Sequence, residues 1–575
     1  MKVIIAKKAG FCMGVRRAVD MTLDMVNHNE NEKISTFGPL IHNPQVLEVL
    51  RDKGVSVLKT IPQHASGTVI IRAHGVPPAS KEKLEQSGLF VKDATCPRVV
   101  KVQVIINKHK KLGKKTVIIG DRNHAEVEGL LGYAGPDSIV VSSEKEAARL
   151  SLSKPYIIVS QTTQDEIIFE NIVRIITQNN TDGEVFNTIC DSTHKRQNEV
   201  RNLCKEVEAL VVVGGKNSAN TKRLGMIAQE QGKKVFVVET EDELNPNDFK
   251  QYKTVGVTAG ASTPNWMINR VVSSLEAIPS RGEGIGGAMM HDALWALMAS
   301  NIYISLAGGV LAYACCLLQG IKPEFEYGFI AFGYLFAMHN LNRLTDKRSR
   351  VFNDPALHTF SLKYRSLLIY LSCFALFLSL FLSYNENGTA FCLLLIMTIF
   401  GLLYRVKFVP KFLVPLIKIS RLKEIPASKT MFVSLAWSFA LVVLPAVYVS
   451  DGISPINIFV FIFIYLLTFV RNATFDVFEV QGDRIAGKET LPVWLGELGA
   501  LRTLYITMAI LVFMLIVGPL AGVLPRLFFY AIPGIVYFLI LTYMYERGKL
   551  RNGIKLEFGL DTALLFVGLS VMVAA

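Results

Sequence analysis

Ile278-Pro-Ser-Arg-Gly-Glu-Gly-Ile-Gly-Gly-Ala288 divides the 575-residue chain into two textures. Rich in glycine and without hydrophobic periodicity, it reads as a linker, placed at 279–290. On its N-terminal side, residues 1–278 alternate short β-branched runs with Lys/Glu-rich helical stretches. The runs are Val3–Ala6, Val69–Ala73, Thr116–Gly120, Tyr156–Ser160, Ala209–Gly214, Val235–Glu239 and Val255–Ala259. Continuous apolar strands between amphipathic helices predict parallel sheets covered on both faces. The opening Met1-Lys-Val-Ile-Ile-Ala-Lys-Lys reads as a strand, not as the apolar core of a secretory signal.

On the C-terminal side, residues 291–575 hold apolar segments near 293–318, 326–341, 366–384, 389–404, 430–449, 456–470, 503–523, 525–545 and 557–575. Most approach the roughly 20 residues that a spanning helix needs, which predicts an all-α membrane domain of about nine spans. Basic residues collect after every second segment: Arg343 and Arg350, then Arg405 through Lys423, then Arg471, Arg484 and Lys488, then Arg547 through Lys555. Lys and Arg accumulate in cytoplasmic loops, so the N-terminal domain is expected in the cytoplasm, on the inner face of the cell membrane. Nine spans then leave the C-terminus outside.

Composition agrees with this division. The chain is 51% hydrophobic and 19% charged, with net charge +13 and mean hydropathy +0.35. A basic excess beside such hydrophobicity points to a membrane rather than to nucleic acid. Eight cysteines are too few for a disulfide scaffold, and no C-x-x-C pair supports a zinc ribbon or a redox dithiol. Cys12, Cys96 and Cys190 lie 84 and 94 residues apart in Gly-rich or polar settings. Such spacing suits three similar lobes that each bring one thiolate to a common iron–sulfur centre. On residue type alone, three ordinary buried cysteines are the better reading. Cys204, in a helical run, reads as core.

Several strands end in groups able to bind anions: Arg72-Ala-His-Gly75, Gly120-Asp-Arg-Asn-His-Ala-Glu126, Gln161-Thr-Thr163, Gly214-Gly-Lys-Asn-Ser-Ala-Asn220 and Ala259-Gly-Ala-Ser262. Ligands of parallel α/β folds bind at the carboxyl ends of strands. Together with Ala9-Gly-Phe-Cys-Met-Gly-Val15 and Asp93-Ala-Thr-Cys-Pro97, these motifs resemble, in order and over 1–278, the LytB-type 4-hydroxy-3-methylbut-2-enyl diphosphate reductases. The resemblance implies a three-lobed α/β domain of pseudo-threefold arrangement around a 4Fe–4S cluster on Cys12, Cys96 and Cys190. It implies that His42, His74, His124, Ser218, Asn220 and Ser262 hold the substrate diphosphate, and that Glu126 and Thr162 handle the proton and the leaving hydroxyl. An external electron donor of ferredoxin or flavodoxin type is implied as well. The products would be isopentenyl and dimethylallyl diphosphates of the methylerythritol phosphate route. Ala219 departs from the hydroxyl residue common in that family.

In the second half, Arg471-Asn-Ala-Thr-Phe-Asp476-Val-Phe-Glu479-Val-Gln-Gly-Asp483 spaces three carboxylates three and four apart, on one helical face. Such a face holds Mg²⁺, or is simply a solvated helix end. With Thr490-Leu-Pro492 it resembles the second acidic motif of UbiA-type membrane prenyltransferases, a resemblance that covers about 291–575. It implies Mg²⁺ held by Asn342, Asp346, Asp476, Glu479 and Asp483, a prenyl diphosphate near Arg421 and Lys423, and a lipid or aromatic acceptor. The first acidic motif departs from the family: Asn342-Arg-Leu-Thr-Asp346-Lys-Arg-Ser-Arg350 carries Arg343 and Arg350 at two usual Asp positions. Either these arginines contact diphosphate directly, or the membrane half is a non-catalytic anchor or prenyl-diphosphate binder.

Overall fold

The computed structural model describes residues 1–28, 32–152, 155–278, 293–345, 350–403, 427–449, 454–547, 550 and 554–575. The chain divides into two compact units, Met1–Gly282 and Glu283–Ala575. The linker proposed at 279–290 lies outside the described residues.

The first unit contains three four-stranded sheets, all parallel within the described residues. One sheet runs Ser56–Leu58, Ile34–Phe37, Thr68–Ile71, Phe90–Asp93 across its width, and a second runs Ile139–Val141, Lys115–Ile119, Tyr156–Ser160, Gly183–Val185. The third takes Lys2–Ile5 from the start of the chain and sets it beside Thr254–Ala259, Ala209–Val213 and Lys234–Val238. The N-terminus is fastened there, its ammonium donating to the Ile278 carbonyl at 3.0 Å. Inner strands such as Ala209–Val213 and Tyr156–Ser160 are buried at every position, as expected for parallel sheets covered by helices on both faces. Each lobe hands the chain to the next through a helix that begins at a cysteine: Met13–His28 after Cys12, Pro97–Lys111 after Cys96, and Asp191–Leu203 after Cys190.

The second unit is helical throughout its described elements. Each of the nine apolar segments contains a helix, but among the described residues seven helices, not nine, are long and apolar enough to cross a membrane. Gly388–Leu403 stops at 16 residues, and Phe325–Thr345 lies outside the set because its stretch mixes Glu326, His339, Asn340 and Asn342 with its apolar positions. Pro455–Ala486 runs for 32 residues, so the expected loop after the sixth segment is a continuation of the helix. A break separates 293–299 from Ile302–Gln319, with Asn301 in the left-handed region at φ 62°. Asn tolerates that conformation better than most residues because its short amide bonds locally. The core of this unit is aliphatic and aromatic, built on residues such as Leu311, Trp437, Phe463, Leu504 and Phe538.

Candidate functional site

One hydrogen-bond pattern occurs three times in the first unit. The Cys12 N–H donates to the Ala261 carbonyl at 3.0 Å, the Cys96 N–H to Ala73 at 2.9 Å, and the Cys190 N–H to Thr162 at 2.9 Å. Each acceptor sits at the carboxyl end of a sheet strand, beside or at a polar residue singled out by the sequence: Ser262, His74 and Thr162. The helices that follow extend these contacts. The Val15 N–H points at Cys12 Sγ at 3.5 Å, Arg17 donates to the Thr95 carbonyl at 3.1 Å, and Arg98 pairs with Asp191 at 2.8 Å. Gly14 lies against Cys96; a Cβ there would fall 2.4 Å from the Cys96 Sγ, so only glycine leaves room for that sulfur. All three cysteines are free and half-buried. Burial pushes the Cys96 thiol up, its neighbours Cys12 and Cys190 push it further, and the Arg98 and Val99 N–H groups oppose them. Cys204 is 2% exposed and packs among Val200, Leu203 and Val207, away from this set.

Three histidines meet beside the cysteines. Ring centroids of His42 and His74 lie 4.7 Å apart, His74 and His124 5.5 Å, and His42 and His124 5.9 Å. A nitrogen from each lies within 4.8 Å of the other two. That spacing alone would also suit a divalent cation. Arg72, just past the strand that leads to His74, adds a positive charge that acts on all three rings and favours an anion there. Burial first, then the neighbouring His rings and Arg72, hold His74 well below the ordinary imidazole range. Burial likewise lowers His124 to about 4, helped by His42 and opposed by Asp121. The His124 Nδ1 accepts the Glu126 N–H at 3.2 Å, capping the helix Ala125–Tyr133. The proton of the neutral ring is therefore assigned to Nε2.

The third lobe closes on His42. Its carbonyl accepts the Ser262 hydroxyl at 3.0 Å, and a Cβ on Gly215 would come within 2.9 Å of the same oxygen. Ser218 caps the helix Ala219–Glu230. The second residue of that helix, Asn220, is 5% exposed, and neither its amide nitrogen nor its oxygen has a hydrogen-bond partner. His74 Nδ1 is likewise buried without a partner. Buried polar atoms are nearly always satisfied, so these orphans are candidates for contact with a polar ligand. Glu126 is 2% exposed and is held by Thr162, whose N–H donates at 2.7 Å and whose hydroxyl donates at 2.8 Å. Burial raises the Glu126 carboxyl to about 7 against the lowering pull of both Thr162 bonds. It is thus a carboxylic acid available near neutral pH.

In the second unit, Asp476, Glu479 and Asp483 occupy one face of Pro455–Ala486. Lys429 lies 3.2 Å from Asp476 and 3.8 Å from Glu479, Thr430 donates to Asp476, and Lys488 lies 3.1 Å from Asp483. Asp476 and Asp483 are 1% and 0% exposed. Arg343 forks onto the Ala299 carbonyl and the Asn301 side chain, clasping the helix break. Arg471 grips Asp561 with Nε at 3.0 Å and Nη2 at 2.8 Å, a buried pair that sequence reasoning missed. Asn342 is half-buried on the same helix as Arg343. Asp346, Arg421, Lys423 and the side chain of Arg350 lie outside the described residues.

Residues 3–276 match the family described as LytB protein. The chain is 42% identical over 280 residues to the 4-hydroxy-3-methylbut-2-enyl diphosphate reductase of Geobacter metallireducens, covering 99% of that protein and 49% of this chain. The chain belongs to the 4-hydroxy-3-methylbut-2-enyl diphosphate reductase family. The Geobacter sulfurreducens reductase is similar at 42% identity over its whole length. A solved reductase structure shares 40% identity, covering all of that chain and 48% of this one at a TM-score of 0.39. Residues 361–557 match the UbiA prenyltransferase family, so the reductase is fused to a UbiA-type helical region. The structure of a UbiA homolog from Archaeoglobus fulgidus bound to GPP and Mg²⁺ covers 48% of this chain and 99% of its own, at 20% identity and a TM-score of 0.36.

The cysteine set of the reductase suits a cluster on its own chemistry. The Cys96 thiol, raised by burial and by Cys12 and Cys190 beside it, calls for a cationic partner, and each of the three cysteines sits at a helix N-terminus that favours the thiolate. Arg72 is the residue of this site that sequence reasoning quoted without giving it a role. The signal was its position, two residues before His74 at a strand end.

Proposed function

We propose that Cys12, Cys96 and Cys190 hold a 4Fe–4S cluster, and that His42, His74, His124, Ser218, Asn220 and Ser262 hold the diphosphate of the hydroxymethylbutenyl substrate. The observation that carries this reading is the threefold bond from each cysteine N–H to a strand end, which ties the three thiols to His74, Thr162 and Ser262. When bound, such a cluster supplies electrons and a Lewis-acidic iron to the substrate hydroxyl. The protein's part is binding and proton handling. Neutral imidazole N–H groups, the Asn220 amide and the Ser218 hydroxyl donate to the phosphate oxygens without a P-loop, joined by the Ser262 hydroxyl once it turns from the His42 carbonyl. Glu126 gives its proton to the hydroxyl as the C–O bond breaks, so that water leaves. Thr162 holds both carboxyl oxygens of Glu126 and fixes the direction of that proton. Two electrons and two protons complete the balance: one proton leaves in the water, and the other adds to either end of the allylic unit. Addition at one end gives isopentenyl diphosphate and at the other dimethylallyl diphosphate. The electrons come from an outside carrier of ferredoxin or flavodoxin type. Reduced full-length protein, purified without oxygen, is expected to convert the substrate to both products. Conversion that persists in Cys96→Ser would contradict the assignment.

For the helical unit we propose Mg²⁺-dependent transfer of a prenyl group to a lipid or aromatic acceptor, with Asp476, Glu479 and Asp483 as ligands joined by Asn342 and Asp346. Arg343, Arg350, Arg421 and Lys423 would neutralise the diphosphate. Lys429 between Asp476 and Glu479 favours the second reading, a prenyl-diphosphate binder or anchor without transfer, because an ammonium there competes with the metal. Prenyl transfer by the purified chain in the presence and absence of Mg²⁺ separates the two. The basic loops favour an inner-membrane location with the reductase unit in the cytoplasm.

A further inference from the structure

Arg196 lies six residues past Cys190 in the helix Asp191–Leu203 and is 4% exposed. Its guanidinium bridges two other segments: Nη2 donates to the Gly10 carbonyl at 2.7 Å, and Nη1 to the Ala259 carbonyl at 3.4 Å. Gly10 stands two residues before Cys12. Ala259 stands two before Ala261, the residue that accepts the Cys12 N–H. One arginine therefore clasps the segments carrying Cys12 and Cys190. Its third donor, Nε–H, is buried and has no acceptor in the protein. The charged or ionisable groups acting on it are Cys12, Glu199 and Cys190. Glu199 is already engaged, accepting the N–H groups of Lys7 and Lys8.

A guanidinium taken out of water is costly unless negative charge faces it. Two carbonyl dipoles and one shared carboxylate answer that charge only in part. Cys12 and Cys190 become formal anions when they ligate iron, and Arg196 lies next to both. Because the guanidinium stays protonated at any working pH, its charge is permanent. In a site poor in water, a fixed positive charge favours whichever state of the centre carries the additional electron.

We propose that Arg196 is a positioning residue that sets the reduction potential of the cluster on Cys12, Cys96 and Cys190, holding it high enough for an outside carrier to reduce. This rests on the cluster reading given above. The mechanism derived there gives Arg196 no contact with substrate, so it acts through the two cysteines.

The test compares full-length wild type, Arg196→Lys and Arg196→Met, purified without oxygen. Iron and labile sulfide are measured first, followed by a redox titration of the visible and electron paramagnetic resonance signals. Wild type without iron and sulfide would sink the cluster reading itself, and this inference with it. Given a loaded wild type, Arg196→Met is expected to keep its iron and titrate at a more negative potential. Arg196→Lys, which keeps the charge but loses the fork, is expected to stay closer to wild type. Iron lost from the Met variant and kept in the Lys variant would also support a role for charge, since the two side chains are similar in length. A loaded Met variant with an unshifted potential would overturn the proposal. Equal loss of iron from both variants would overturn it too, and would leave Arg196 as a packing clasp alone.

Discussion

Glu126→Gln probes the acid assigned to the leaving hydroxyl. Gln fits the same space: its amide oxygen can accept the Thr162 N–H now bonded at 2.7 Å. Its amide nitrogen can donate to the Thr162 hydroxyl, which turns round to accept. What disappears is a transferable proton. A general acid typically contributes about 10²–10⁴-fold, so kcat is expected to fall by at least about 100-fold while KM changes little. The pH profile gives a second reading. With its carboxyl at about 7, wild-type Glu126 is protonated below neutrality and ionised above it, so the rate should decline as pH rises through about 7. That limb should vanish in the variant. Stability moves the same way. Below pH 4.5 both folded and unfolded chains protonate this group, and it contributes nothing. Between 4.5 and about 7 only the unfolded chain ionises it, and folding loses about 3 kcal/mol. Glu126→Gln removes that loss, so it should melt higher than wild type at pH 8 and similarly at pH 4.5. Anaerobic stopped-flow assays with a reduced viologen donor read the rate, and scanning calorimetry reads the melting. A variant within threefold of wild-type kcat, or a wild-type rate flat from pH 6 to 8.5, would refute the assignment.

Replacing Cys12, Cys96 or Cys190 by Ser should each lower bound iron severalfold, whereas Cys204→Ser, in the packed core, should leave iron unchanged; metal analysis decides. Asn220→Ala removes two atoms that have no partner in the unliganded protein. It should therefore raise KM at least tenfold while barely moving the melting temperature, and a destabilised variant with normal KM would be the contrary result. Because His74 and His124 are held neutral by burial and by Arg72, a diphosphate should raise their proton affinity. Binding should take up protons near pH 6.5 and tighten as pH falls from 8 to 6, which calorimetry in buffers of different ionisation enthalpy can measure. Asp476→Ala and Asp483→Ala should each weaken Mg²⁺-dependent binding of a prenyl diphosphate at least tenfold, with Mg²⁺-independent binding little changed.

Much of the reductase site was legible because ligand chemistry in parallel α/β folds gathers at strand ends. His74, His124, Thr162, Ser218 and Ser262 all follow strands that were readable as apolar runs. The strands left unread were short, and most lie at sheet edges: Ser56–Leu58, Phe90–Asp93, Ile139–Val141 and Gly183–Val185. Phe90–Asp93 and Gly183–Val185 are largely exposed and carry charged residues, and Ser56–Leu58 and Ile139–Val141 are three residues long, too short to show a pattern. The return of Lys2–Ile5 to pair with Thr254–Ala259 was also unreadable, because a partner 252 residues away leaves no local pattern. That pairing is what brings Cys12 to Ala261. The acidity of Glu126 and the clasp of Arg196 arise from burial by distant segments, which spacing does not report. In the helical unit, hydropathy located the segments but not their ends. Pro455–Ala486 carries its apolar half straight into the Asp476–Asp483 face, turning an expected loop into helix.

The reductase assignment stands or falls on one conversion. Full-length protein purified under nitrogen, reduced, and supplied with 4-hydroxy-3-methylbut-2-enyl diphosphate should yield both isopentenyl and dimethylallyl diphosphates by mass spectrometry, with yield proportional to its iron content. Iron-loaded protein that leaves the substrate intact under these conditions would contradict it.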